Sequence, residues 1–283
     1  MHRLILDALI ICTTFFSVIS MSVRATSMSG ALKVNSLLAK LKSSVSELPF
    51  QRINITPHLP DNLHLKAKDP NSQLREAGIL VPLVFSNDNK LGLLYTLRSD
   101  LVGTHKNQVS FPGGMLEAKD QDDLVACALR ETKEEIGEDI VTGEGAKYTV
   151  LAKCQSIYSI TGVIVTPVLA LIRQPIVYNA QKSHTGVGVY GDITQTYFPD
   201  YSQDEVAAVF IKELDDLKAM KAYEWLSRPP RKGEQYSEKT PVQKVKFPVY
   251  RDERDADMEK TRIWGMSALI TESVIAHFDS LEE

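Results

Sequence analysis

Three glutamates crowd the run Arg130-Glu131-Thr132-Lys133-Glu134-Glu135-Ile136-Gly137. On a helix Glu131 and Glu135 stand one turn apart and Glu134 lies a little around the axis, so all three carboxylates share one side. Like charges at that spacing repel by a few tenths of a kcal/mol, a cost that a bound cation would remove. Mg²⁺ and Mn²⁺ are hard ions that take clustered carboxylate oxygens and keep positions open for substrate phosphates. A solvated acidic face, with Arg130 paired to Glu134, is the competing reading of these residues alone. The glycine pair Gly113-Gly114, following Phe111-Pro112, sets a tight loop before the carboxylates, where backbone can approach a metal or phosphate closely. Glu117, Asp120 and Asp122 fill the interval.

Other residues join as candidates. Arg98 and His105 flank a loop, where a guanidinium could fork onto a phosphate and an imidazole could hydrogen-bond one. Either could equally be ordinary loop polarity. Glu205 opens a strand after a long loop and is either a further metal-binding or proton-accepting acid or a plain strand-end charge. Trp264 reads as core packing, and Cys127 as a small apolar filler. No Ser-His-Asp arrangement and no phosphate-binding P-loop is visible.

These residues need a scaffold. Val125, Ala128, Leu129, Thr132 and Ile136 form an apolar stripe, so a helix over 122–137 docks on a sheet. Asp122 or Asp123 caps its start and Gly137 its end. Strands are predicted at 78–85 and 91–98, joined as a hairpin across Asn87-Asp88-Asn89, and at 150–158, 161–172 and 206–211. Helices are predicted near 213–225 and over 267–278, with 174–203 a long polar excursion and 227–246 a surface loop. An amphipathic helix is predicted over 31–48. Irregular alternation of strands and helices makes the class α/β or α+β, without internal repeats.

The chain has 283 residues, 43% of them apolar and 24% charged, which excludes wholesale disorder. Lys and Arg number 32 against 36 acids, and that net charge of −4 speaks against a nucleic-acid surface. Three cysteines, Cys12, Cys127 and Cys154, are too few and too scattered for a disulfide framework or a cysteine-rich zinc site. Residues 1–30 carry Arg3, an apolar run from Leu4 to Ser20 and a Val23-Arg24-Ala25 step, and read as a targeting segment or anchor. Contact with a membrane is expected only through that segment. The division is thus 1–30, an N-terminal helix and linker at 31–77, and a catalytic domain over 78–283 with insertions near 174–203 and 227–262.

The pattern Gly114…Arg130-Glu131-x-x-Glu134-Glu135-x-Gly137 resembles the signature of the Nudix hydrolases. The acidic position ahead of Arg130 falls on Asp122, with a spacing from the glycine two residues longer than usual, or on Asp120. Upstream, Leu97-Arg98-Ser99…His105…Val109-Ser-Phe-Pro-Gly-Gly114 is similar to the extended motif of coenzyme A pyrophosphatases, with Asn107 where glycine is common. Tyr158-Ser, Val165-Thr-Pro-Val168, Asp204-Glu-Val and Ile263-Trp-Gly-Met-Ser-Ala are similar to the same group.

The resemblance implies a Nudix-type α/β/α sandwich with a mixed sheet. It implies Mg²⁺ or Mn²⁺ held by Glu131, Glu134 and Glu135, with Glu131, Glu134 and Glu205 as the catalytic acids. Arg98, His105, Gly113 and Gly114 would meet the substrate. Either Glu131 or Glu205 would take the proton from the attacking water, and Arg130 would orient a carboxylate. The implied substrate is coenzyme A or an acyl-CoA, split into 3′,5′-ADP and a phosphopantetheine. ADP-ribose, NADH or a nucleotide sugar are alternatives, and a non-catalytic binding module is a second. Such a substrate places the chain in an organelle, first the mitochondrion; secretion, membrane anchoring, or a cytosolic product started at Met21 are the alternatives.

Overall fold

The computed structural model describes residues 75–86, 90–137, 148–159, 163–172, 176, 187–227 and 244–282. The expected targeting segment and the helix over 31–48 lie outside them.

An eight-stranded mixed sheet forms the centre. Strand β1 (Arg75–Phe85) runs parallel to β7 (Val163–Ile172) and antiparallel to β2 (Leu91–Arg98). β3 (Val109–Ser110) and β8 (Val206–Glu213) pair with β2, and β4 (Gly113–Met115) pairs with β1. β5 (Tyr148–Lys153) and β6 (Ile157–Tyr158) pair with β7. The hairpin of β1 and β2 is present as predicted. β1 begins at Arg75, so the end of the stretch read as linker belongs to the sheet.

Side chains alternate between two apolar layers, as strand geometry requires. Leu80, Leu94, Val168, Val209 and Ile211 face helix α1 (Leu124–Ile136), which contributes Ala128 and Ile136. Val81, Leu93, Tyr95, Leu169 and Phe210 face the other way, toward Ala268, Ile270 and Val274 of helix α4 (Gly265–Glu282). Helices thus cover both faces of a mixed sheet, the expected α/β/α sandwich.

The described residues of the 174–203 segment, 176 and 187–203, are less polar in their packing than the stretch is in its composition. Ile193 and Phe198, at either end of the short helix α2 (Thr194–Tyr197), are buried in the α1-side layer. The helix predicted over 213–225 is corrected. Helix α3 stops at Met220 (Leu214–Met220), and β9 (Lys221–Ser227) follows, paired antiparallel with β10 (Lys244–Tyr250). Tyr223 and Trp225 favour a strand, and pairing from Lys221↔Tyr250 to Ser227↔Lys244 overrides helix propensity. The loop predicted over 227–246 correspondingly lies outside the described residues only over 228–243.

The two insertions meet beside β8. Lys212, buried on that strand, donates to Asp252 at 2.7 Å and to Asp255 at 2.9 Å. Asp255 also accepts from the Tyr190 amide at 2.7 Å and from the Thr261 hydroxyl at 2.7 Å. Arg254 stacks over the Tyr190 ring and donates to Asp252 and Asp216. A buried three-residue ion cluster therefore fastens both insertions to the sheet.

Candidate active site

Helix α1 presents the acidic run. Asp123 caps it by accepting from the Val125 amide at 2.8 Å, and Gly137, in the left-handed conformation, ends it. The choice between Asp122 and Asp123 therefore falls on Asp123. The Ser202 amide donates to the Glu135 carbonyl at 2.9 Å, and the Ser99 amide to the Glu205 carbonyl at 2.8 Å. These two bonds bring the end of α1, the start of β8 and the loop after β2 to one place. A register shift between Leu97 and Arg98 re-aims Arg98 at the end of its strand.

The result is a cleft of about 380 Å³. Arg98, Val102, Gly103, Gly113, Gly114, Glu131, Glu135, Asp204 and Glu205 line it. Glu135 is 3% exposed, and its Oε2 is buried without a hydrogen-bond partner. Burial pushes its carboxyl up to about 8. Arg98 opposes that shift, and the neighbouring Glu205 and Glu131 carboxylates reinforce it. Glu131 is also raised by burial, against the pull of Arg130. Gly114 lies so close that a Cβ there would overlap the Glu131 carboxylate, and Gly113 has a φ of 147°, in the range that favours glycine.

Arg130 is fully engaged beside the cleft. It forks onto Asp120 at 2.7 and 2.9 Å and donates to Glu131 at 2.8 Å, to Glu134 at 2.9 Å and to the Met115 carbonyl at 3.1 Å. Those bonds hold the Asp120 carboxyl at about 2. The acidic partner of Arg130 is thus Asp120, while Asp122 is exposed and has a left-handed backbone.

Of the residues singled out in the sequence, Arg98, Gly113, Gly114, Glu131, Glu135 and Glu205 come together in the cleft. Glu134 is more exposed, is bound by Lys119 at 3.1 Å and by Arg130, and is not among the lining residues. His105 is exposed, stands 3.0 Å from the Gln108 amide oxygen, and does not line the cleft. Cys127 is buried and its thiol is pushed up to about 11, which suits a packing role. Trp264 is partly buried, with Arg262 over its ring.

Val102 and Gly103 line the cleft and were not singled out, and Asp204, also lining it, was marked only within the Asp204-Glu-Val run and given no role. Adjacency to Glu205 was the available signal for Asp204. Nothing in composition marks the other two, which arrive by the path of the loop after β2.

Hard carboxylate oxygens, an orphaned buried oxygen on Glu135 and a backbone cradle at Gly113-Gly114 fit a divalent cation. Among the described residues, no three such side chains already converge on one ligating point. Ion pairs with Arg130 and Arg98 hold Glu131 and Glu135 instead.

Replacing Gly114 with alanine should displace the Glu131 carboxylate while leaving the sheet intact. A displacement of about 1 Å can cost roughly 100-fold in rate, so kcat/KM should fall on that order with an almost unchanged melting temperature. A kcat/KM within threefold of wild type would show that the close approach does not matter.

A family model described as NUDIX domain matches residues 74–228, over half of the chain. An uncharacterized Nudix hydrolase, NudL, of Klebsiella pneumoniae is 34% identical over 149 residues, covering 53% of this chain and 62% of that protein. The mitochondrial coenzyme A diphosphatase NUDT8 of Mus musculus is 44% identical over 95 residues, 33% of this chain and 42% of that protein. The peroxisomal coenzyme A diphosphatase ndx-8 of Caenorhabditis elegans is 34% identical over 101 residues, 36% of this chain and 42% of that protein. The chain therefore spans less than two thirds of the length of these relatives. Among solved structures, a C. elegans Ap4A hydrolase binary complex is similar at 21% identity and a TM-score of 0.33, covering 49% of this chain and 80% of that one. The family match coincides with the sheet, the carboxylate helix and the cleft between them, and this chain belongs to the NUDIX domain family.

Proposed function

We propose that this protein is a metal-dependent diphosphatase that hydrolyses coenzyme A or an acyl-CoA. The observation that carries the reading is the buried, unpartnered Glu135 oxygen in one cleft with Glu131, Glu205, Arg98 and the Gly113-Gly114 backbone. Two relatives named as coenzyme A diphosphatases support the choice of substrate. Water adds to one phosphorus of the P–O–P linkage, the bridging P–O bond breaks, and 3′,5′-ADP and (acyl-)phosphopantetheine leave with release of a proton.

Glu131 and Glu135 would hold Mg²⁺ or Mn²⁺, joined by Glu134 once it leaves Lys119. When bound there, a divalent ion would supply charge neutralisation for the diphosphate and a more acidic water. Glu131 or Glu205 receives the proton of the attacking water. Arg98 offers a guanidinium to the diphosphate, and the Gly113-Gly114 backbone lets it approach. Arg130, fully occupied by Asp120, Glu131, Glu134 and the Met115 carbonyl, positions Glu131 and does not meet substrate. His105 would reach substrate only by leaving Gln108.

The two coenzyme A diphosphatases are named as mitochondrial and peroxisomal, which favours an organelle here, first the mitochondrion. Among the described residues no helix is long and apolar enough to cross a membrane.

Specificity constants for CoA, ADP-ribose, NADH and a nucleotide sugar with Mn²⁺ test the substrate. CoA should lead by at least tenfold. Equal or faster cleavage of another member would give this cleft to that diphosphate instead.

A further inference from the structure

We propose that Arg98 is an exchangeable internal cation: it occupies Glu135 until a divalent ion arrives, then turns to the diphosphate, and so couples the two binding events. This rests on the diphosphatase reading above, not on the identity of the substrate beyond its diphosphate.

The contact between Arg98 and Glu135 is incomplete on both sides. Arg98 Nη1 lies 3.5 Å from Glu135 Oε1, beyond the 2.7–2.9 Å of a formed charge-assisted hydrogen bond. Arg98 Nε and Glu135 Oε2 are both buried and lack hydrogen-bond partners. Arg130 is a telling contrast, since it meets Asp120 at 2.7 and 2.9 Å with both oxygens used. One arginine is fixed in place; the other is only leaning on its partner. Buried polar atoms left unmatched are costly, and a second ligand that satisfies them gains that cost back.

Charge sets the order of the exchange. Glu131, Glu135, Asp204 and Glu205 line the cleft, and Arg98 is the cationic side chain among its lining residues. A divalent ion on Glu131 and Glu135 takes the carboxylate that Arg98 faces and repels the guanidinium. Freed, Arg98 has its donors available for phosphate oxygens that arrive at the same metal. The coupling is reciprocal: the ion tightens diphosphate binding by the factor with which the diphosphate tightens ion binding.

The test uses wild type, Arg98→Gln and Arg98→Lys as full chains at pH 8.5, with Mn²⁺ and the non-hydrolysable α,β-methylene-ADP. Free Mn²⁺ is counted by electron paramagnetic resonance with and without the analogue. In wild type the analogue should tighten Mn²⁺ on the order of tenfold or more. In Arg98→Gln that factor should drop at least fivefold, because only direct metal–phosphate contact remains. Mn²⁺ alone should bind Arg98→Gln as well as or better than wild type. Arg98→Lys, which keeps charge without the fork, should fall between.

A coupling factor within twofold of wild type in Arg98→Gln overturns the exchange while leaving the metal site standing. Weaker binding of Mn²⁺ alone to Arg98→Gln also overturns it, by making Arg98 a support of the metal site. Failure of wild type to bind Mn²⁺ at all overturns the exchange and the diphosphatase reading together.

Discussion

Glu135→Gln should lower turnover by about 10³-fold while leaving the protein folded. Glu135 stands in the cleft facing Glu131 and Glu205, and neutralising it would remove a buried, hard oxygen from the proposed metal site. Metal stabilisation of developing charge amounts to several kcal/mol, and each ~1.4 kcal/mol is tenfold in rate. The same change helps the metal-free fold at alkaline pH. A carboxyl raised to about 8 is neutral in the folded state well above the pH at which it ionises in the unfolded chain. Its contribution to stability is thus fully present below roughly pH 4.3 and is lost as pH rises through about 8. Chelated wild type should lose melting temperature between pH 6 and pH 9 relative to Glu135→Gln, and added Mn²⁺ should restore wild type only. Activity of Glu135→Gln within a few-fold of wild type at saturating metal would remove Glu135 from the metal site.

Lys212→Met should destabilise the fold by about 3–5 kcal/mol. Lys212 is 2% exposed and is bound by Asp252 and Asp255, both buried, so its loss leaves two carboxylates facing a methyl group. Burial raises the Asp252 carboxyl, yet Arg254 and Lys212 outweigh it and hold it at about 2. That contribution is present above the ordinary range of an aspartate and is lost as pH falls through about 2. For a chain of this size the melting temperature should drop by roughly 6–20 °C. Adding Asp255→Asn should recover part of the loss, since one uncompensated charge is removed. A drop under 2 °C would mean that the cluster does not fasten the insertions.

The carboxylate helix was readable because its signals are local. An apolar stripe, an aspartate cap and a closing glycine set α1 to within two residues at its start and one at its end. The Arg-Glu-x-x-Glu-Glu spacing then placed Glu131 and Glu135 one turn apart whatever the sheet did. Strands β2 and β7 were legible for a similar reason, being short apolar runs between turn residues.

Long-range pairing was not legible. Tyr223 and Trp225 suit a strand while Lys221, Ala222, Glu224 and Leu226 suit a helix, and β10, nearly twenty residues further on, decided between them. The packing of Ile193 and Phe198 was hidden in a polar stretch. Lys212 carries no local signal, because its partners Asp252 and Asp255 stand 40 and 43 residues further along the chain. Within the site, spacing could not tell that Glu134 leans on Lys119 while Glu135 points into the cleft. Asp120 as the partner of Arg130 likewise depended on the loop between β4 and α1.

Incubating the purified protein with CoA and Mn²⁺ in ¹⁸O-water and separating the products by mass shows whether a divalent ion in this cleft directs water onto the CoA diphosphate. Equal amounts of 3′,5′-ADP and phosphopantetheine should form, with one ¹⁸O carried by one of the two and none formed when EDTA replaces the metal. Intact CoA, or cleavage that persists with EDTA, would mean that the protein is not a metal-dependent CoA diphosphatase.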